Sequence, residues 1–397
     1  MLKKTTALYL LTLLLLLISG CYSASTAIKK LPKQDKLVLF EKIYAVPGIE
    51  CNIYFRNIFL AVNHANYVFD VDCKVGRNDL KRWRFTPKAA DGGKTFPLSV
   101  KVYDENGLVA EATTVIHVAH ADAGKDRKIN ILMVGDSYTN HTVYPAWLYE
   151  LCKKENNPEL NMIGTRRFEY KGANISKEVK TEGYSGWRWD SFLTRWDGTA
   201  RKGKKYTKSK FLYMKDGKVT VSLTEFLKTY EFPTPDIITV QLGGNDIFHA
   251  VDENRDEKIK KILENADKLL AVFRRDAPNA IIGVGLPPPC ANQDAFGNSY
   301  KCGQTSWGCC KNKFALCVAM IKHFKNKDPK IVLIPTYAGI DAENNYPFKK
   351  EVVNANNSAI IARQSNGVHA DIAGYRQAGD IYYVWLKNML ADEKICK

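Results

Sequence analysis

"ILMVGDSYTNH", residues 131–141, runs four apolar residues straight into Gly-Asp-Ser. A run that is apolar on both sides predicts a strand buried on both faces, as in parallel sheets. Gly, Asp and Ser each favour turns for local steric and hydrogen-bonding reasons. The carboxyl end of a parallel strand is also where such sheets gather ligands and reactive groups. Ser137 is therefore either a turn residue or a nucleophile, and the rest of the chain decides between them.

Further apolar runs occur at 160–163, 236–242, 280–286 and 331–334. Helical periodicity at 144–154, 252–275, 310–325 and 372–390 alternates with them. Strands that are apolar throughout, spaced by amphipathic helices, predict an α/β domain with a parallel sheet covered on both faces; we bound it at 127–397. Ahead of it, residues 37–120 show a different pattern. "CNIYFRNIFLAV", "NYVFDVDC", "WRFTP", "FPLSVKVYDENG" and "VAEATTVIHVA" are short runs rich in β-formers, and Asp104-Glu105-Asn106-Gly107 is a hairpin signal. These predict a small β-sandwich, immunoglobulin-like in outline, serving as a spacer or a carbohydrate-binding module. The polar stretch 120–128 marks the boundary.

The amino terminus narrows the compartment. Lys3 and Lys4 precede a short apolar run, 7–18, followed by Ser19-Gly20-Cys21. That is the layout of an export signal, too short to span a bilayer of roughly 20 residues' depth comfortably. Ile18-Ser19-Gly20-Cys21 resembles a bacterial lipobox, which implies lipidation at Cys21, a signal segment at 1–21 and a polar tether at 22–36. The chain carries a net charge of +16, a balance that favours anionic partners, but export excludes nucleic acid. Ten cysteines agree with an oxidising compartment. Cys51 and Cys73 are placed to bridge within the β-rich part. Cys290, Cys302, Cys309, Cys310 and Cys317 crowd one segment, where disulfides stapling a long loop are expected in preference to zinc.

Gly-Asp-Ser gains meaning from three later stretches of the chain. "TEGYSGWRWD" places Gly186 in a glycine-rich turn, "ITVQLGGNDIFH" puts Gly243-Gly244-Asn245-Asp246 at the end of another strand, and "SNGVHADIAGY" sets His369 ahead of the last helix. Together these resemble, in order, the four blocks of the SGNH hydrolases, also called GDSL esterases, over 129–390. The resemblance implies a flavodoxin-like three-layer α/β/α fold. It implies Ser137 as nucleophile and His369 as general base. The Ser137 N–H, the Gly186 N–H and the Asn245 side chain would form the oxyanion hole.

The chemistry asks for these residue types. A serine hydroxyl needs a base to accept its proton, and histidine titrates near neutrality. Rigid N–H donors stabilise the oxyanion of the tetrahedral intermediate, and glycine lets backbone approach closely. No metal or cofactor is needed. Asp246 reads as structural, while His141 and His249 are placed either to line the pocket or to sit at the surface. One position departs from the family: Asn366 stands where an aspartate would orient the histidine, so the expected machinery is a Ser–His dyad with an assisting Asn366.

The expected reaction is hydrolysis of an acyl ester through an acyl-enzyme, with O-acetyl groups on a carbohydrate as the substrate. A lipase or lysophospholipase, and a non-catalytic surface glycan-binding lipoprotein, are the alternatives. Trp187, Trp189 and Trp196 are either sugar-stacking platforms or core, and the basic run 201–218 is either a solvated loop or an anion site.

Overall fold

The computed structural model describes residues 36–196, 208–299 and 303–392. The signal segment, nearly all of the tether, Cys21, Cys302 and residues 201–207 of the basic run lie outside them.

The β-rich part comprises β1 (Lys42–Ala45), β2 (Cys51–Tyr54), the short helix α1 (Phe55–Ile58), β3 (Val68–Cys73), β4 (Arg77–Asn78), β5 (Arg82–Phe85), β6 (Thr95–Asp104) and β7 (Gly107–Val118). They form a four-stranded sheet in the order β1-β7-β6-β3 and a three-stranded sheet in the order β2-β5-β4. The expected hairpin joins β6 to β7, with Asp104 paired to Gly107 and the Asp104 carboxylate accepting the Asn106 N–H. Two expectations fail. The run at 51–62 is not extended throughout: at Phe55 it coils into α1, which buries Phe55 and Ile58. The buried Asn57 side chain there donates to the carbonyls of Ala338 and Ile340, and these tertiary contacts override local β-preference. Cys51 and Cys73 lie on strands of different sheets and are free thiols.

The second part opens with β8 (Lys128–Gly135), α2 (Ser137–Asn140), α3 (Val143–Cys152), β9 (Glu159–Ile163), β10 (Glu182–Gly183) and α4 (Trp189–Thr194). A hairpin of β11 (Leu212–Lys215) and β12 (Lys218–Val221) leads to α5 (Leu223–Thr229), β13 (Ile237–Gln241), α6 (Gly244–Ile247) and α7 (Arg255–Asp276). Then come β14 (Ile281–Gly285), α8 (Gln293–Ser299), α9 (Ser306–Phe324), β15 (Ile331–Ile334), a second hairpin of β16 (Phe348–Asn354) and β17 (Asn357–Gln364), and α10 (Ile372–Ala391).

All pairings in the main sheet are parallel: β9 and β10 flank β8 on one side, and β13, β14 and β15 follow on the other. Counting β8, β9, β13, β14 and β15 along the chain gives the spatial order 2-1-3-4-5. The chain reverses direction across the sheet between β8 and β13, and in doubly wound sheets of this order that crevice is where ligands bind. Strand residues alternate between two apolar cores. Leu132, Val134, Ile238, Val240 and Val284 join a core with Ile262, Leu269 and Phe273 of α7 and Leu316 and Met320 of α9. Ile129, Ile131, Met133, Ile237 and Ile281 join Tyr144 and Leu148 of α3 and Tyr382 and Trp385 of α10. The sheet is thus covered on both faces. α7 also carries acids in its first turn and arginines in its last, matching the helix dipole.

Candidate active site

β8 delivers the chain to the crevice and stops at Gly135, because the backbone turns straight into α2. A Cβ at Gly135 would stand 2.0 Å from Thr139 Oγ1, so only glycine permits so close a return. Asp136 caps the turn, its carboxylate accepting the Tyr138 N–H at 2.9 Å. Ser137 is then the first helical residue, with 8% of its surface exposed. Its Oγ lies 2.7 Å from His369 Nε2. His369 sits in the segment between β17 and α10, in a turn built by Asn366, whose side-chain oxygen accepts the N–H groups of Val368 at 3.0 Å and His369 at 2.9 Å. Asp371 caps α10 through the Gly374 N–H, fixing the far side of the same turn.

Two further loops close on Ser137. β10 runs beside the end of β8, and Gly183 packs so tightly that a Cβ would meet the Asn140 backbone N at 2.4 Å. The chain then turns, with the Tyr184 N–H donating to Gly135 O and the Trp187 N–H to Tyr184 O. Gly186 stands exposed in this turn at φ +76, a backbone conformation that favours glycine. Asn140 of α2 donates to Ser185 Oγ at 3.2 Å, tying turn to helix. From the end of β13, Asn245 donates through Nδ2 to Trp187 O at 2.9 Å and to Asp136 Oδ2 at 3.2 Å. Asp246 holds the Trp189 N–H, a structural use of its carboxylate.

The electrostatics result from burial. Burial pushes the Asp136 carboxyl up to about 6. It pushes His369 down to about 3, helped by the neighbouring His141 and Lys313, so the ring is neutral at pH 7 and can accept a proton from Ser137. His141 is lowered to about 4 by burial; its ring centroid lies 4.8 Å from that of His369, and its Nδ1 is 2.5 Å from Tyr375 Oη. Lys313 of α9 is buried, lowered to about 8 by desolvation, and donates to Pro288 O at 2.7 Å.

The structure therefore brings Ser137 and His369 into hydrogen-bond contact and sets the Gly186 turn and Asn245 around them. Asn366 supports the turn that carries the histidine, its side-chain oxygen accepting the backbone N–H groups of Val368 and His369. Of the flanking histidines, His141 lines the site and His249 is exposed away from it. Trp187 and Trp189 are core residues, 2% and 0% exposed, with Trp187 stacked on Tyr184, so they offer no sugar platform. In the cysteine-rich segment Cys290 and Cys309 are bonded, whereas Cys310 and Cys317 are free. Sequence reading missed Lys313: a lysine within a helical stretch gives no sign that its ammonium will be buried. The chemistry open to this arrangement is proton transfer from a serine hydroxyl to a neutral imidazole beside a cluster of N–H donors.

No family model and no curated protein matches the chain. Solved structures do match, and those neighbours are esterases and lipase-like proteins. A carbohydrate esterase family 3 structure from Talaromyces cellulolyticus is 14% identical, covering 66% of this chain and 98% of that one, with a TM-score of 0.38. A carbohydrate acetylesterase family member from Sinorhizobium meliloti is 15% identical over 66% of this chain and 99% of that one, with a TM-score of 0.39. A possible lipase from Chitinophaga pinensis is 13% identical over 66% and 100%, with a TM-score of 0.37. At such low identities and TM-scores, function rests on the site's own geometry.

Proposed function

We propose that the chain is a serine ester hydrolase of the SGNH type, with the flavodoxin-like α/β/α fold of that family, that removes acyl groups, O-acetyl in the first instance, from a carbohydrate. The observation that carries the proposal is the 2.7 Å contact of Ser137 Oγ with His369 Nε2 at the crevice between β8 and β13. In the reaction, His369 Nε2 takes the hydroxyl proton as Ser137 Oγ bonds to the ester carbonyl carbon. The Ser137 and Gly186 N–H groups and the Asn245 amide then hold the oxyanion, Asn245 exchanging its longer bond to Asp136 for the new acceptor. The imidazolium returns its proton to the departing alcohol, leaving an acyl-serine. Water repeats the sequence, releasing the acid and restoring the hydroxyl. Each oxyanion donor supplies about 3–4 kcal/mol of barrier lowering in sites of this kind.

Ser137→Ala should abolish release of p-nitrophenol from p-nitrophenyl acetate, by several orders of magnitude, at an unchanged melting temperature. Near-normal turnover by that variant would place the reaction elsewhere. Preference for acetyl over long acyl chains, followed by acetate release from acetylated glycans, tests the substrate class. Export and membrane anchoring through a lipidated Cys21, with the β-rich part as an immunoglobulin-like spacer, complete the proposal. Cys21→Ala should release the protein from membranes, and persistent membrane fractionation would refute the anchor.

A further inference from the structure

Away from Ser137, a cavity of about 670 Å³ opens between the β-rich part and the residues Asn292, Gln293, Ser306, Trp307 and Cys310. One wall is aromatic: Phe55 stacks on Phe69 with centroids 4.6 Å apart, and Phe59 meets Tyr67 edge-on at 4.9 Å. Facing it, Trp307 at the start of α9 keeps 39% of its surface exposed. Val62 and Leu80, 84% and 91% exposed, lie at the rim. Polar groups are interleaved with the rings: Asn63, Asn292, Gln293, Ser306 and the Arg56 guanidinium all line the space. Arg56 donates to two neutral acceptors, Ala291 O at 3.3 Å and Ser306 Oγ at 3.2 Å, and makes no ion pair among the described residues.

A fatty chain would offer no hydrogen bond to Asn292 Oδ1, which is buried and has no partner among the described residues, and so would leave its desolvation cost in place. A sugar suits both halves of the lining. Its C–H face packs on the exposed ring of Trp307, Phe55 and Phe59 being buried behind the wall, and its hydroxyls meet amides, hydroxyl and guanidinium; apolar walls with a few placed polar groups mark small-ligand sites of this volume. Of the charged groups in the lining, Glu343 is paired with Lys81, while Arg56 makes no ion pair among the described residues, and that uncompensated cation favours an acidic sugar. Ala291, next to the lining residue Asn292, connects the cavity wall to the turn that carries His369. Ala291, whose carbonyl receives Arg56 and Ser306, donates its N–H to Gly367 O, two residues before His369.

We propose that this cavity is a saccharide-binding subsite, with Trp307 as its stacking platform and Arg56 as its acid-recognising group, holding the polysaccharide whose esters reach Ser137. The link to catalysis rests on the proposed esterase function; the binding does not. The test titrates the full chain carrying Ser137→Ala with soluble xylan and with polygalacturonate, read by calorimetry. Both should bind, polygalacturonate more tightly and with a stronger dependence on salt. Adding Trp307→Ala should weaken binding roughly tenfold, the worth of one aromatic contact, and Trp307→Phe should recover most of it, with melting temperatures confirming that each variant is folded. No binding of either polysaccharide, or binding indifferent to Trp307→Ala, overturns the subsite. Binding by a protein inactive on every ester would instead keep the subsite and refute the hydrolase.

Discussion

Asn366 shows how one side chain can build the turn that carries a proposed base. Its oxygen accepts two backbone N–H groups and so shapes the turn, but it brings no charge to an imidazole that burial holds near 3. A base so reluctant to be protonated stays neutral well below pH 6.5, so the acidic limb of kcat/KM should lie far below the usual histidine range. Asn366→Asp preserves both N–H bonds and adds a carboxylate to the turn that carries His369, which favours the imidazolium. Turnover should be maintained or raised and the acidic limb should move upward; a pH–rate profile superimposable on wild type would refute this. Asn366→Ala, by orphaning two donors, should cost about 1–2 kcal/mol of stability. The same low histidine pKa makes the fold sensitive to acid. Between its unfolded value of about 6.5 and its folded value of about 3, the unfolded chain binds a proton that the native one refuses, so this contribution is lost as pH falls through that window. Asp246 runs the other way. Burial raises it from about 3.8 to about 7, and its Oδ2 has no hydrogen-bond partner among the described residues, so between those values the unfolded chain releases a proton that the native one keeps, and stability is lost as pH rises through that window. Asp246→Asn keeps the acceptor for the Trp189 N–H and removes the charge. Its melting temperature should exceed wild type by more at pH 8 than at pH 5, and a difference independent of pH would show that ionisation is not the cause.

At the scale of elements, two glycines decide how closely three pieces of chain can converge on Ser137. At Gly135 the nearest obstacle is the Thr139 side chain, but at Gly183 it is the Asn140 backbone, which has no rotamer to yield. Gly183→Ala should therefore push β10 and the Gly186 turn away from α2, lowering both melting temperature and kcat more than Gly186→Ala does. Gly186 has no atom within 4 Å of its would-be Cβ, so its substitution strains only φ. Equal effects of the two variants would argue against the packing account. These elements were unequally legible in the sequence. β8, β13, β14 and β15 announce themselves because they are mostly apolar, β13 and β14 being buried at every residue, and α7 and α10 because their apolar stripes are long. β10 has only two residues, too few for any period. The hairpins β11–β12 and β16–β17 expose Met214, Val219, Val352 and Ile360, which blurs their alternation. The Ser137 and His369 pair was readable from chemistry at strand and helix ends; the Lys313 ammonium and the backbone role of Asn366 were not, since both depend on which atoms lie nearby in the fold.

Across the whole molecule the two parts expected from sequence share one apolar core. Residues 36–397 form one compact unit, and Ile53, Phe55 and Trp83 of the β-rich part belong to the same apolar core as Phe314, Leu316, Tyr337 and Ala338. Polar contacts cross between them at the same places. Asn57 donates to Ala338 O and Ile340 O, Asn388 of α10 donates to Ala45 O, and the Tyr54 N–H donates to Ala338 O. Cutting the chain between β7 and β8 would expose this core on both fragments and orphan buried amides, so neither fragment gains stability from separation. The two parts should consequently unfold together. Calorimetry of residues 36–397 should give a single transition with calorimetric and van't Hoff enthalpies in agreement, and residues 127–397 alone should be insoluble or molten. Two resolved transitions, or a soluble and cooperatively folded 127–397 fragment, would restore the picture of independent domains. They would also remove the structural reason for placing a saccharide subsite at their junction, since a cavity there persists only if both walls are held in register.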